Sequence, residues 1–378
     1  MNLNSKKNIS YLIYDSCAED ILSKIIDLRK AKILNFRKYK NKITNFFFEI
    51  PSILNIFTNI NLLKIFFLEG FFIAHVCEKI KRYKPKYVLT TTDNDIRFYR
   101  LKKFNQSIKF IAIQNGLRSK FHDIFEKLET KNILGLSADY YCSYNDHVKK
   151  LIKKYIDTSV ISTGSYINNH VKIKKNFKKK NNILYISSFR NVNPEDEFDR
   201  FANGKIIYWK DFIKFEIDLI KGLQNFCIKK GYNLSIAGSS TNNSDKEFNF
   251  FKKNLSNRNW KFFKKTKRTD TYNLIDKFEI VSSCAGTSGV EAIGRNCKVA
   301  YFGRDISIYK DWLYAWPKKM PKKGFFYSDS VSSNEINRIL NNLITVKETT
   351  WKTIVMKERK HVMTYDYSNT KLKKILKS

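Results

Sequence analysis

Val281-Ser-Ser-Cys-Ala-Gly-Thr-Ser-Gly-Val-Glu-Ala-Ile-Gly-Arg295 is the stretch on which the reading of this 378-residue chain turns. Phe278–Ser282 is an apolar run of strand length, and Gly286, Thr287, Ser288 and Gly289 form a small-residue turn behind it. A helix is predicted from about Val290. Strand, tight turn and helix in that order make the repeating unit of an open α/β sheet, where ligands bind outside the carboxyl ends of the strands. The free N–H groups and positive end of such a helix favour a phosphate. Glu291, predicted in the first turn, can accept hydrogen bonds from ribose hydroxyls. The same letters fit a plain helix start, with Thr287 or Ser288 as N-cap and Glu291 as capping-box or dipole partner. Local sequence leaves both readings open.

The unit recurs on either side. Strands are predicted at Tyr11–Tyr14, Tyr87–Thr91, Lys109–Ile113, Tyr140–Ser143 and Ser159–Ser162, then again at Ile183–Ser187, Asn233–Ala237, Phe278–Ser282 and Lys298–Phe302. Helical spacing fills the gaps, as in Phe72–Tyr83, Asn145–Tyr155 and Phe212–Lys229. The Lys- and Asn-rich run Val171–Asn182 has no apolar period and is the predicted linker. The expected architecture is α/β, two doubly wound Rossmann-like domains with a cleft between them. The expected divisions are 1–170, a linker at 171–182, a second domain at 183–345 and a helical tail at 346–378.

The carboxyl-edge rule then selects further loops. After Ile183–Ser187 comes Ser187-Ser188-Phe189-Arg190-Asn191, in which Arg190 can grip a phosphate through two N–H groups or stand as a surface arginine. Gly238, in Ala237-Gly-Ser-Ser240, would add backbone donors or form an ordinary turn. In the first half, Gln114-Asn115-Gly116-Leu117-Arg118 follows a strand, and Asn-Gly there suggests a turn needing positive φ. His122 can serve as a base near neutral pH or stand idle. Asp93 and Asp95 close another strand, as bases or as helix caps.

Composition bounds the function. With 43 % hydrophobic and 15 % aromatic residues the chain can build real cores, which argues against disorder. The net charge of +36 attracts polyanions, but the lysines run from Lys6 to Lys377 without forming a stripe. Solvated faces and Lys-rich amino-acid usage account for much of the charge. An anionic membrane or a nucleotide substrate are the candidate partners, and nucleic acid is the weaker expectation because arginine clusters interleaved with stacking aromatics are missing. The six cysteines form no CxxC pair and read as reduced apolar residues. No metal site is expected: Asp93-Asn-Asp95 fits a DxD pattern but reads better as caps or bases. The start of the chain, Met1 to Lys7, lacks the apolar core of a signal peptide. The apolar stretch Phe46–Cys77 is interrupted by Glu49, Pro51, Lys64 and Glu69, so it is expected as buried helices, with a helix lying on a membrane as the minority reading.

Four segments together resemble the GT-B glycosyltransferase-like proteins of bacterial surface-carbohydrate synthesis. Ile113-Gln-Asn-Gly116 is similar to their IQHG turn, and Ala138-Asp-Tyr-Tyr-Cys-Ser143 to a strand opening on Ala-Asp. Ser162-Thr-Gly-Ser165 is similar to the segment that precedes their interdomain linker, and Phe278–Phe302 to their most specific block. The resemblance covers roughly residues 87–305. It implies an enzyme of lipopolysaccharide or capsule assembly in the cytoplasm, transferring sugar from a nucleotide donor to a glycan or lipid-linked acceptor. The nucleotide sugar would be a co-substrate, with no further cofactor. Ser187, Ser188, Arg190, Gly238, Gly286, Thr287, Ser288, Gly289 and Glu291 would bind the donor. Gln114, Gly116 and Arg118 would face the acceptor, and His122, Asp93 and Asn115 would serve catalysis. Asn115 stands where the family usually has histidine, so the base is transferred to His122. A sugar-nucleotide epimerase, a polyol-phosphate transferase and a basic nucleic-acid-binding protein are the rivals.

Overall fold

The computed structural model describes residues 9–34, 44–118, 124–174, 179–200, 206–284, 286–303 and 323–377. Its frame is two six-stranded parallel sheets, each buried at its centre. The first contains β1 (Tyr11–Asp15), β2 (Ala31–Ile33), β3 (Tyr87–Thr90), β4 (Lys109–Ile113), β5 (Ser137–Ser143) and β6 (Asp157–Ser162), in the order β2-β1-β3-β4-β5-β6. The second contains β7 (Lys179–Ile186), β10 (Asn233–Ala237), β11 (Trp260–Phe263), β12 (Phe278–Cys284), β13 (Lys298–Phe302) and β14 (Tyr327–Ser328), in the order β11-β10-β7-β12-β13-β14. Between β7 and β10 in the chain, β8 (Glu197–Arg200) and β9 (Ile206–Tyr208) form a separate antiparallel pair.

All nine predicted strands are present; β2, β8, β9, β11 and β14 were not foreseen. The central strands are continuous apolar runs because helices cover both faces of a parallel sheet. Ile183, Leu184 and Tyr185 of β7 are fully buried, as are Ile111, Ala112 and Ile113 of β4. β7 begins at Lys179, inside the run read as linker, and pairs there with Phe278 of β12.

Strand order places the ligand-binding edges. In the first sheet the chain leaves β1 for β2 on one side and returns to β3 on the other. In the second it leaves β7 for β10 and β11, then crosses to β12. These reversals between β1 and β3, and between β7 and β12, are topological switch points, where adjacent loops diverge and open a crevice.

A double crossing joins the halves. Tyr166–His170 is a short helix carrying the chain toward β7, and its Asn169 Nδ2 donates to Asn369 Oδ1 at 3.2 Å. The C-terminal segment returns beside it: Thr364 N donates to Tyr144 O at 2.9 Å, and Asn369 Nδ2 to Tyr166 O at 2.9 Å. Leu372, Ile375 and Leu376 then bury themselves with Ile13 and Ile111 of the first half. Gly164 (φ +78°) makes the crossing possible, because a Cβ there would lie 2.0 Å from Thr364 O. Arg295 pins the crossover from the second half. Its guanidinium is fully buried against Asp276 and donates to Asn168 Oδ1 at 2.9 Å and Val171 O at 3.0 Å.

Candidate functional site

The carboxyl edge of the second sheet meets the loop after β1 of the first. There lies a cleft of ≈ 520 Å³ lined by Arg190 after β7, Ser239 after β10, Lys265 and Arg268 after β11, and Asp20 from the first half. Arg268 Nε stands 3.7 Å from Asp20 Oδ1 across it. Three cations against one carboxylate leave this wall poised for an anion. Lys265 is half-buried, and burial first, then the neighbouring Arg268, holds its pKa below the ordinary lysine value.

The loops carrying this wall are held from behind. Glu216, buried on the helix Trp209–Lys230, accepts from Ser188 N at 2.9 Å and Tyr185 Oη at 2.8 Å. Glu247, fully buried on the helix Ser244–Asn254, accepts from Ser239 N with both oxygens, at 2.9 and 3.1 Å. These amides are therefore satisfied inside the protein, and the loop after β10 does not offer the Ser239 N–H to a ligand. Ser187 Oγ accepts from Phe189 N at 3.0 Å and so shapes the turn that presents Arg190. Ser188 Oγ donates to Cys284 O at 2.9 Å, joining this loop to the end of β12.

The helix after β12 runs Thr287–Gly294 and starts three residues earlier than predicted. Its N-cap is Gly286, and no side chain caps it, which removes Thr287 and Ser288 as caps. Gly286, Thr287 and Ser288 are half-exposed. Gly289 is a packing glycine: a Cβ there would lie 2.6 Å from Ser283 Cβ and 3.1 Å from the Tyr301 ring. Gly238 is similarly crowded by Phe262, Phe263 O and Glu247. Glu291 departs most from expectation. It lies beyond the first turn and is buried, with Tyr272 Oη donating to its Oε1 at 3.1 Å. Ser165, from the first half, is its second partner. Burial pushes its carboxyl up to about 7, against the opposing pull of those hydrogen bonds and of Lys265 and Arg295. Glu291 is thus neither a capping-box partner nor open to ribose in this arrangement. It joins the halves through Ser165 and Tyr272.

On the first-half side, the expected residues bond mainly to one another. Asp93 is buried and accepts from Arg118 Nε and Nη2 at 2.6 Å each, from Asn115 N at 3.0 Å and from Tyr141 Oη at 2.5 Å. Both its oxygens are committed, so the carboxylate is a lock rather than a base, and Arg118 is drawn away from an acceptor. Gln114 donates from Nε2 to Gly116 O at 2.7 Å and accepts from Tyr144 N at 2.7 Å. Neither Asn115 nor Gly116 has positive φ; the turn is held by these side chains instead. Asp95 caps the helix Ile96–Arg100 and pairs with Arg97. Leu117 and Tyr144 pack on the second half's core, so the turn abuts the other domain. His122 lies outside the described residues.

Lys265, Arg268 and Asp20 escaped the sequence reading. Lys265 and Arg268 follow β11, a strand that was not foreseen, and the only signal was the short run Trp260-Lys-Phe-Phe263 ahead of them.

The comparisons with known proteins fit this geometry. Methanocaldococcus jannaschii UDP-GlcNAc 2-epimerase, solved with UDP-GlcNAc and UDP, aligns at a TM-score of 0.52 and 16% identity, over 97% of this chain and 99% of that one. The S. aureus MnaA–UDP co-structure aligns at 0.52 and 14%, over 96% and 94%. UDP-GlcNAc 2-epimerase from Neisseria meningitidis, bound to UDP-GlcNAc, aligns at 0.50 and 14%, over 97% and 99%. At such identities the likeness is one of fold: two Rossmann-like domains in the GT-B manner. No curated protein matches the sequence significantly. A family model for O-antigen biosynthesis proteins matches residues 111–378, spanning the Gln114 turn, the crossover and the whole second half, and the chain belongs to that family.

Proposed function

We propose that the protein transfers a sugar from a nucleotide-activated donor to a surface-polysaccharide or lipid-linked acceptor. The observation that carries this reading is the wall of Arg190, Lys265 and Arg268 at the carboxyl edge of the second sheet. Membership of an O-antigen family supports the acceptor class. In the transfer, the bond between the anomeric carbon and the donor phosphate oxygen breaks, and its electron pair leaves with the nucleotide. The acceptor hydroxyl oxygen takes its place on the carbon. Three cations around the departing phosphates stabilise charge where it develops. The helix start at Gly286–Ser288, joined to the Arg190 loop through Ser188, adds its positive end.

The acceptor proton needs a base, and His122 keeps that assignment; Asp93, saturated by Arg118, loses it. Gln114, Asn115 and Gly116 shape the acceptor side, Gln114 and the Asn115 N–H by holding the turn. The finer reading places the protein in the cytoplasm at an anionic membrane face, where a lipid-linked acceptor would be presented.

Uridine nucleotides are the first ligands to test, since the neighbours named above were solved with them. A bound ligand at 100 times its Kd should raise stability by about 2.7 kcal/mol. Incubation with a nucleotide sugar and a lipid-linked glycan should release nucleoside diphosphate only when the acceptor is present. Turnover without acceptor would make the protein an epimerase. Release of nucleoside monophosphate would make it a polyol-phosphate transferase. Binding of DNA or RNA with steep salt dependence, and of no nucleotide, would leave neither.

A further inference from the structure

Outside the cleft lining, the helices Thr44–Thr58 and Ile60–Glu69 meet at a bend of 99°. Asn59 makes the corner by accepting from Leu62 N at 3.3 Å. One side of the elbow is core: Ile56 and Leu62 pack with Ile73 of the following helix, Phe71–Tyr83. The other side is apolar and open. Ile50, Leu54 and Phe57 recur at helical spacing along the first arm, and Ile60, Phe67 and Leu68 along the second. Phe67 and Leu68 are 77% and 74% exposed. Phe57 and Phe66 touch across the corner, with ring centroids 5.6 Å apart, so the arms form one surface.

Cations rim this surface. Lys64 is exposed on the second arm. Lys81 and Lys84 line a groove of ≈ 560 Å³ whose walls include Leu62, Ile65 and Phe104. Among the described residues, no single helix is long and apolar enough to cross a membrane. Apolar stripes flanked by lysines on short, bent helices fit the boundary between headgroups and acyl chains. A second copy of the chain would bring the same lysines and its own +36 charge to the contact, whereas acidic lipid brings the opposite charge.

We infer that this elbow is a monotopic membrane anchor that inserts Leu54, Phe57, Ile60, Phe67 and Leu68 into an anionic leaflet, with Lys64, Lys81 and Lys84 at the headgroups. It rests on the membrane part of the proposed function and is independent of the transfer chemistry. The test is co-sedimentation with vesicles of phosphatidylcholine alone and doped with phosphatidylglycerol, at low and high salt. The full chain should bind the acidic vesicles, and raised salt should weaken but not abolish binding. Phe67→Ser/Leu68→Ser should cut binding at least about tenfold, given the apolar area removed from the contact. Both positions are exposed, and an unchanged melting temperature and unchanged nucleotide affinity would show that the fold is intact. If the double variant does not fold, Lys81→Glu/Lys84→Glu replaces it, with the same loss expected on acidic vesicles only. Failure of the full chain to bind acidic vesicles would overturn the membrane reading and the anchor together. Binding undiminished in both variants would overturn the anchor alone. A concentration-dependent dimer by light scattering, lost in Phe67→Ser/Leu68→Ser, would assign the surface to a second copy instead.

Discussion

The two sheets carry similar loops at their carboxyl edges and use them differently. At the first-half edge, the conspicuous polar residues consume one another: Asp93 takes Arg118, Asn115 N–H and Tyr141 Oη, and Gln114 holds the backbone on both sides of its turn. At the second-half edge, the carboxylates of Glu216 and Glu247 stand behind the loops and hold their amides, while Arg190, Lys265 and Arg268 line the cleft in front. The lesson is that a polar residue after a strand becomes a candidate for ligand contact only if its partner is not already in the protein. One edge is a scaffold, and the other is a binding surface.

The largest expected effect tests the scaffold. Asp93→Ala would remove the buried carboxylate that pairs with Arg118, whose side chain is only 9% exposed, and that accepts from Asn115 N and Tyr141 Oη. Breaking a buried pair on one side typically costs about 3–5 kcal/mol. Chemical denaturation should show a loss of that order, carrying any loss of activity with it. Unaltered stability with turnover abolished would return Asp93 to the role of base and break the contrast.

Glu291 supplies the next effect, where it bonds Ser165 of one half and Tyr272 of the other. Its carboxyl rises from 4.5 to about 7 in the folded protein, chiefly through burial. Between those values the unfolded chain has released a proton that the folded chain still holds, so stability falls as pH rises across the window and then levels off. At about 1.4 kcal/mol per pH unit, the total is about 3.5 kcal/mol as an upper bound. Glu291→Gln should remove this slope, so that melts at about pH 4 and about pH 8, on either side of the window, differ less than in the parent. A parent without the slope, together with a variant that loses donor affinity, would put Glu291 on the donor after all.

Smaller still is the effect at the binding edge. Arg190 is exposed, and its one described contact is a 3.2 Å bond to Phe189 O, so Arg190→Ala should leave stability unchanged. A charge-assisted hydrogen bond to phosphate is worth about 1.5–3 kcal/mol. Calorimetric titration with nucleotide should therefore show affinity lower by roughly one to two powers of ten. Equal affinity would remove the cationic wall as the donor site.

How much of this could be read in the sequence depends on the range of the forces involved. β7, β10 and β12 announced themselves because a doubly covered parallel strand must be continuously apolar, and their following loops came with them by the carboxyl-edge rule. β2 has three residues and β11 four, too few for a pattern, and the cations after β11 were hidden among 71 lysines and arginines. Pairing was not legible at all. Asp93 and Arg118 are 25 residues apart and Glu247 reaches Ser239 across a turn, so only the folded chain reveals that these groups are spent. Glu291 was misread because the helix begins at Thr287 instead of Val290; that shift carries it past the first turn and into the interface.

Asp20 sharpens the comparison with the smallest change. It is the first-half carboxylate that reaches the cleft wall, on the short helix Glu19–Leu22 after β1, and it stands 3.7 Å from Arg268 with both side chains well exposed. An exposed pair of this kind is worth at most about 1 kcal/mol, so its loss should not register in a melt. For a nucleotide, however, Asp20 is a competitor for Arg268 and a like charge near the phosphates. Asp20→Asn should therefore raise nucleotide affinity, by a few-fold at most, and the gain should shrink as salt screens the contact. Calorimetric titration at two ionic strengths measures both. An affinity unchanged at low salt would place the phosphates away from Arg268 and narrow the wall to Arg190 and Lys265. A fall in turnover with affinity intact would mean that Asp20 acts on the reacting groups. The first half would then contribute chemistry through the loop after β1 and not through the locked turns after β3 and β4.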